Sequence, residues 1–537
     1  MTRTEAEYNA LTCVQLRAIC KSRGLVQKGV KKVVIERLMN HDLHMANTTT
    51  TTNAASDPVV SAPTPEVPST PPKKKEEEED IGIILGSPTK VVSAADKSPV
   101  KSPAVVVAST NNENNNNVEQ EEEQTYQDET NSCILFERTT TTSNQNLTPS
   151  GLHFIANHQY RPSDYTHLDN LLNPLWTTLT NCLPLSLAPN MVTTFGGLHC
   201  ALAYGVLWYY SPDFDRECPN WVIALAGYCT WAYYTLDCMD GKQARRTGSS
   251  SPLGQLFDHG FDCICVLFFS ATYSSYLQFG NSHSYLLLQV SLQFGFFMAQ
   301  WEEYHTHVLP HSSGKWFGVT EVNYASGLAA FVASCVDRTR VFQSSMEETL
   351  APFGLDGVLP VVVKDMETRH FALLLWSTTS IIIFALSMKR VVCHPRIAGE
   401  EMDSSQIRFN RLNALSKLTS PFLLCVAAFI IPPTLIRTRY VSVSLGCILS
   451  LLTKKMIVFS MAKMPYAILQ KDIYPFLIAA VWIRFDTRLT KEGADFVLGA
   501  LSVWYGYRLL RWVNISVNQI CAKLDIYCFR LKKKKDD

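Results

Sequence analysis

Between Leu236 and Val266, in LDCMDGKQARRTGSSSPLGQLFDHGFDCICV, four aspartates lie at the ends of two apolar runs. Asp237 and Asp240 close the first run at spacing i, i+3, and Asp258 and Asp262 open the second at i, i+4. Either spacing sets both side chains on one face of a helix. A carboxylate at membrane depth costs roughly 3 kcal/mol unless it is paired or bound to metal. Four of them on facing helices repel, and Lys242 and Arg245 are too few to neutralise them, so another cation belongs among them. Hard oxygen donors without a cysteine or histidine quartet select Mg²⁺ or Mn²⁺, with Ca²⁺ as a competitor. Two such ions suit an in-line displacement at phosphorus. Simple helix capping does not explain Asp237 and Asp240, because negative charge at a helix C-terminus opposes the dipole.

Between the two pairs the sequence predicts a turn. There Gly241 lets backbone approach a phosphate, and Arg245 offers a forked donor for its oxygens. Ala244 and Gly254 are small residues where a helix and a ligand, or two helices, pack closely. His259 is the one histidine of the stretch, and its ordinary pKa suits accepting a proton from a hydroxyl. It points about 100° away from Asp258, flanking the acidic face without being a ligand. The alternative proton acceptor is Asp262, with His259 only hydrogen-bonding. Glu302, Glu303, His305, His307 and Glu321 form a second polar group. Their spacing is poor for one metal, which favours a cytosolic loop that contacts a substrate headgroup or supports the first site.

The elements that must position these residues are membrane helices. Segments near 190–210, 221–238, 257–279, 285–299, 371–388, 415–435, 440–461 and 496–512 are long and apolar, and 324–336 and 473–483 are weaker candidates. Counting all ten puts both termini on one side. On that side lie Lys242, Arg245 and Arg246, then Lys389, Arg390 and Arg396, then the C-terminal lysines, so it is cytosolic. The expected fold is all-α, a polytopic transmembrane helical bundle over 151–526. The 16 cysteines are scattered and form no CxxC pair, as in a reducing setting. Lys+Arg and Asp+Glu are equal, so overall charge favours neither nucleic acid nor an anionic membrane. The N-terminus lacks the apolar core of a cleavable signal.

Upstream, residues 5–44 alternate apolar and basic positions at helical spacing around Arg23-Gly24-Leu25, predicting a small two-helix module. Residues 45–146 are rich in Thr, Pro, Asn and Glu runs and predict a disordered linker, so deletion of the first 146 residues is expected to preserve activity. Residues 527–537 predict a basic cytosolic tail. Lys534 and Lys535 stand where a dilysine retrieval signal of endoplasmic reticulum membrane proteins would; a headgroup anchor is the alternative.

The pattern Asp237-xx-Asp240-Gly241-xx-Ala244-Arg245-x8-Gly254-xxx-Asp258-xxx-Asp262 matches every fixed position of the CDP-alcohol phosphotransferase signature. With LNPLW, LAPNMVT, WEEYHT and GVTE, the region from Tyr160 onward resembles the eukaryotic choline/ethanolamine phosphotransferases. Val322 departs from that family, which has glycine directly after the glutamate, and Asp337, Arg338 and Arg340 interrupt the following span early. The resemblance implies transfer of phosphocholine or phosphoethanolamine from CDP-choline or CDP-ethanolamine to diacylglycerol. It implies metal and pyrophosphate at Asp237, Asp240, Asp258 and Asp262, nucleotide contacts from Asn190 and Arg245, His259 as base, a homodimer, and residence in endoplasmic reticulum or Golgi membranes. The 5–44 module resembles the SAP helix-extended-helix unit, implying a nucleic-acid partner; docking to a protein or the membrane surface is the other reading.

Overall fold

The structure, a computed structural model, describes residues 129–137, 145–158, 165–214, 217–310, 312, 314–355 and 360–532, all within one compact unit, 109–537. The SAP-like module, the linker up to residue 128 and the dilysine pair lie outside the described residues.

The described chain is helical: α1 Pro149–Ala156, α2 His167–Asn181, α3 Pro189–Tyr210, α4 Asn220–Thr247, α5 Pro252–Leu277, α6 His283–Thr306 and α7 Val319–Ser334, then α8 Thr368–Val392, α9 Ser404–Ser416, α10 Thr419–Ile430, α11 Thr438–Met461, α12 Tyr474–Phe485 and α13 Lys491–Leu524. Short helical turns lie at Arg338–Phe342, Met346–Leu350, Ala351–Phe353 and Val361–Lys364, and among the described residues there is no strand, only isolated bridges. Every apolar segment predicted from sequence falls on a helix. Among the described residues five helices are long and apolar enough to cross a bilayer: α3, α5, α8, continuous α9–α10, and α11. The remaining predicted spans fall on α4, which carries the acidic and basic residues, on α6 and α13, and on α7 and α12, which have only 16 and 12 residues.

Helix α11 is the hub. Its apolar window is 94% buried, and it packs against α5, α6, α10 and α13. A second apolar cluster joins α3, α4, the far ends of α5 and α6, and α7. Small residues allow the close crossings: a Cβ on Gly227 would stand 3.0 Å from the Gly327 carbonyl, and one on Gly446 3.0 Å from Leu267. The early charges after α7 have a structural account. Asp337 caps the next helix through the Arg340 N–H at 3.0 Å, and buried Arg338 donates to Asn220 Oδ1 at 2.7 Å and to the Cys218 carbonyl.

One boundary differs from the sequence expectation. The linker does not run free to residue 146. The Ile134 and Leu135 carbonyls accept from Ile468 and Leu469 N–H at 2.9 Å, and Asn413 donates to the Asn131 carbonyl at 2.7 Å. Glu137 lies 2.8 Å from buried Lys455, and Asn146 is held by Gln519, Trp512 and Ser516. The low-complexity composition upstream masked this short apolar strap, ILF, at 134–136. The start of the tail packs back onto the helices. Asp525 takes a left-handed φ of 52°, the chain reverses, and Phe529 packs edge-on to Phe257 at 5.4 Å. All 14 described cysteines are unpaired.

Candidate active site

Helix α4 does not stop at the acidic pair, as the predicted turn required. It continues through Gly241, Ala244 and Arg245 to Thr247 and ends at Gly248, whose φ of 64° is the left-handed close of a helix. Ser249 N–H reaches back to the Ala244 carbonyl at 2.9 Å. Four residues then reverse the chain, and α5 opens with Pro252 at its first position and Ser251 accepting from Gly254 N–H. This tight hairpin brings the two acidic faces together.

Carboxylate oxygens of Asp237, Asp240 and Asp258 lie within 4.8 Å of one another, the one such group among the described residues. Asp237 Oδ1 and Asp258 Oδ1 are buried without hydrogen-bond partners. Asp240 is 5% exposed and accepts from Thr193 Oγ1 on α3. Asp262 stands outside the trio, one turn further along α5, where its Oδ1 accepts from Tyr233 at 2.5 Å. Three anionic oxygen donors at this separation, two with unfilled oxygens, fit a divalent cation; an apolar or hydrogen-bonded filling would not leave those atoms bare. Glu302, Glu303, His305, His307 and Glu321 make no comparable group.

The remaining predicted residues divide by what they touch. His259 is 7% exposed and its Nε2 lies 4.0 Å from Asp258 Oδ2. Arg245 is exposed, and its Nη1 stands 3.6 Å from where a Cβ on Gly241 would lie. Its neighbours are committed elsewhere: Lys242 to Asn173 and Thr177, Arg246 to the carbonyls of Thr180, Asn181 and Leu183. A Cβ on Gly254 would meet only Ser251 Oγ, at 3.9 Å, so the α5 start is open. Asn190 is buried and donates to the Cys528 carbonyl at 2.9 Å, so the returning tail takes the amide expected to meet a nucleotide.

The second polar group lies in helices rather than a loop. Glu302 is clamped by Arg390 at 2.6 and 2.8 Å and by Ser387 at 2.7 Å, tying α6 to α8. Glu303 accepts from Gln255 at 3.2 Å, and Gln255 meets His158 at 3.0 Å. Burial pushes the Glu303 carboxyl up to about 7 and holds His305 well below its usual range.

Three residues near the acids escaped sequence reasoning: Thr193, Tyr233 and Lys454. The first two carry no charge and sit in apolar runs. Lys454 stands inside the apolar run 440–461, where an ionisable residue is itself a signal.

Residues 186–345 match the family model for CDP-alcohol phosphatidyltransferase, and residues 7–43 match that for the SAP domain. An uncharacterized CDP-alcohol phosphatidyltransferase class-I family protein 3 of Dictyostelium discoideum is 29% identical over 410 residues, covering 73% of this chain and 100% of the relative. Cholinephosphotransferase 1 of Saccharomyces cerevisiae is 27% identical over 73% of this chain and 99% of its own length. Ethanolaminephosphotransferase 1 of Mus musculus is 39% identical over 175 residues, 30% of this chain and 44% of that protein.

Proposed function

We propose that this chain, whose residues 186–345 match the CDP-alcohol phosphatidyltransferase model and which aligns with relatives named for choline- and ethanolaminephosphotransferase, transfers phosphocholine or phosphoethanolamine from the CDP-alcohol to diacylglycerol. The observation that carries this reading is the convergence of Asp237, Asp240 and Asp258 from two helices within 4.8 Å. Mg²⁺ or Mn²⁺ held there would neutralise the pyrophosphate and polarise the phosphorus under attack. Asp262, held by Tyr233, completes the acidic set one turn deeper. Arg245 and the open backbone at Gly241, with Ala244 and Gly254 close by, receive the nucleotide diphosphate; Asn190 joins them once the tail releases it.

In the transfer, the acceptor oxygen attacks the phosphorus that bears the alcohol headgroup. The bond from that phosphorus to the bridging oxygen breaks, CMP leaves with the electron pair, and the hydroxyl proton passes to a base. His259, buried beside Asp258, is the assigned base, and Asp262 is the alternative. The site lies at the cytosolic ends of α4 and α5, within ten spans with both termini cytosolic. A soluble nucleotide enters there from water and a lipid acceptor from the bilayer. We assign the enzyme to the endoplasmic reticulum or Golgi, as a homodimer, with residues 5–44 a separate SAP-like module for a nucleic-acid or protein partner.

The test is an assay of microsomes from cells expressing the chain, with labelled CDP-choline and CDP-ethanolamine, diacylglycerol, and Mg²⁺ or Mn²⁺. Labelled phosphatidylcholine or phosphatidylethanolamine is expected, dependent on the metal. Its absence with both donors would sink the reading. His259→Ala is expected to abolish turnover while CDP-alcohol still binds; near-normal turnover would pass the base role to Asp262.

A further inference from the structure

Helix α11 carries two adjacent lysines in the most buried of the five long apolar helices among the described residues. Lys455 is fully provided with partners. Lys454 is 6% exposed, and its Nζ is buried with no hydrogen-bond partner. A buried ammonium without a partner costs several kcal/mol. The packing of α11 on α5 shows where this one is held. Gly446 meets Leu267, Ser450 Oγ donates to the Cys263 carbonyl at 2.8 Å, and Lys454 Cε stands 3.6 Å from where a Cβ on Gly260 would lie. These contacts climb the two antiparallel helices turn by turn. They set Lys454 level with Gly260, between Asp258 and Asp262, and within electrostatic reach of Asp262.

The two cations near the acidic cluster come from different helices and reach different acids, Arg245 reaching Asp240 and Lys454 reaching Asp262. Arg245 is at the outer end of α4, beside Gly241, where the nucleotide enters. Lys454 is deeper, on a different helix, toward the apolar interior from which a lipid hydroxyl comes. Asp262 does not satisfy it: that carboxylate is bonded by Tyr233, and no ion pair joins it to Lys454. A second anion must approach the ammonium, and in a displacement at phosphorus the group that moves inward is the phosphoryl being transferred. Resting on the reading above, we propose that Lys454 contacts the substrate, donating to the oxygens of the phosphoryl group that passes from nucleotide to acceptor.

CDP-choline carries that phosphoryl group and CMP does not, so the two ligands separate contact from support. The experiment uses the purified full-length protein with Mn²⁺, measuring affinity for CDP-choline and CMP by displacement of labelled CDP-choline, together with turnover and half-saturating Mn²⁺. Lys454→Met is expected to weaken CDP-choline about 10- to 100-fold and to lower turnover, the loss of one charged hydrogen bond, while CMP affinity stays within about twofold. Lys454→Arg should recover part of both. Equal weakening of CMP, or a matching rise in half-saturating Mn²⁺, would assign Lys454 to holding Asp262 and overturn the proposal; unimpaired binding and turnover would overturn it too. Thermal unfolding checks each variant, and Lys454→Gln replaces Lys454→Met if the latter does not fold. Wild-type protein that makes no lipid product sinks the parent reading instead. Wild-type turnover beside an unimpaired Lys454→Met sinks this inference alone.

Discussion

Two charged clusters lie close together in the membrane domain, built from the same residue types and finished differently. In one, Lys455 is 2.7 Å from Asp472, 2.8 Å from Glu137 and 3.2 Å from Gln470, while Arg508 takes the other Asp472 oxygen at 2.5 Å. Every charge has an opposite neighbour, and the cluster clamps α11, the 470–473 turn, α13 and the strap at 134–137 together. In the other, Asp237 and Asp258 keep bare oxygens, and Lys454, the very next residue on α11, keeps a bare ammonium. Burial is similar in both, so burial alone does not mark function. What separates them is charge pairing rather than complete hydrogen bonding: in the first, closed network Glu137 Oε2 and Arg508 Nε also lack hydrogen-bond partners, yet each of those groups faces an opposite charge, whereas the acids of the second cluster face one another and leave room for a ligand's charges.

The contrast breaks most sharply at the acids. Asp258→Asn or Asp240→Asn should lower turnover by about 1,000-fold or more, because the cation's charge acts on the reacting phosphoryl group. The same variants should melt no lower than wild type in the absence of metal, since one of several repelling charges is gone. A fall in melting temperature alongside full activity would reverse the assignment of the two clusters. Lys455→Met should do the opposite. It leaves Asp472 and Glu137 short of a partner and costs about 3–5 kcal/mol of stability, read by thermal unfolding in detergent, while the surviving folded protein keeps its turnover per molecule.

How far this was legible beforehand depends on the kind of signal. The acidic pairs announce themselves because charge inside apolar runs is expensive and the i, i+3 and i, i+4 spacings are local. The hairpin that joins them is nearly local too, although the helix runs seven residues beyond Asp240, where a turn was expected at Gly241. Lys454 and Lys455 are equally visible as charges in an apolar run. Nothing in their neighbourhood says which will be paired, because Glu137 and Asp472 come from segments 318 and 17 residues away. The strap at 129–137 was hidden by the low-complexity stretch upstream, and the tail's return onto Asn190 hangs on one left-handed residue, Asp525.

The strap supplies the next test. Removal of residues 1–128 should leave both stability and turnover near wild type. Removal of 1–146 should cost stability, because it takes away Glu137, the backbone pairing at 134–135 and the Asn146 contacts. Glu137→Gln alone isolates the charge and should cost about 1–3 kcal/mol. Equal melting of the two truncations would show that the strap contributes nothing to the closed network.

Glu303 stands between the two cases, with one oxygen satisfied by Gln255 and the other bare. Burial raises its carboxyl to about 7, opposed by the Gln255 hydrogen bond, so the folded protein holds this proton more tightly than the unfolded chain does. The sign follows: its contribution to stability is complete below the ordinary glutamate range, near pH 4, and is lost as pH rises through about 7. Glu303→Gln should therefore flatten the fall in melting temperature between pH 5 and pH 8 by about one to two degrees, a small shift in a chain of this size. An unaltered pH profile would mean that Glu303 is ionised in the fold and has a cationic partner, placing it with the closed network after all.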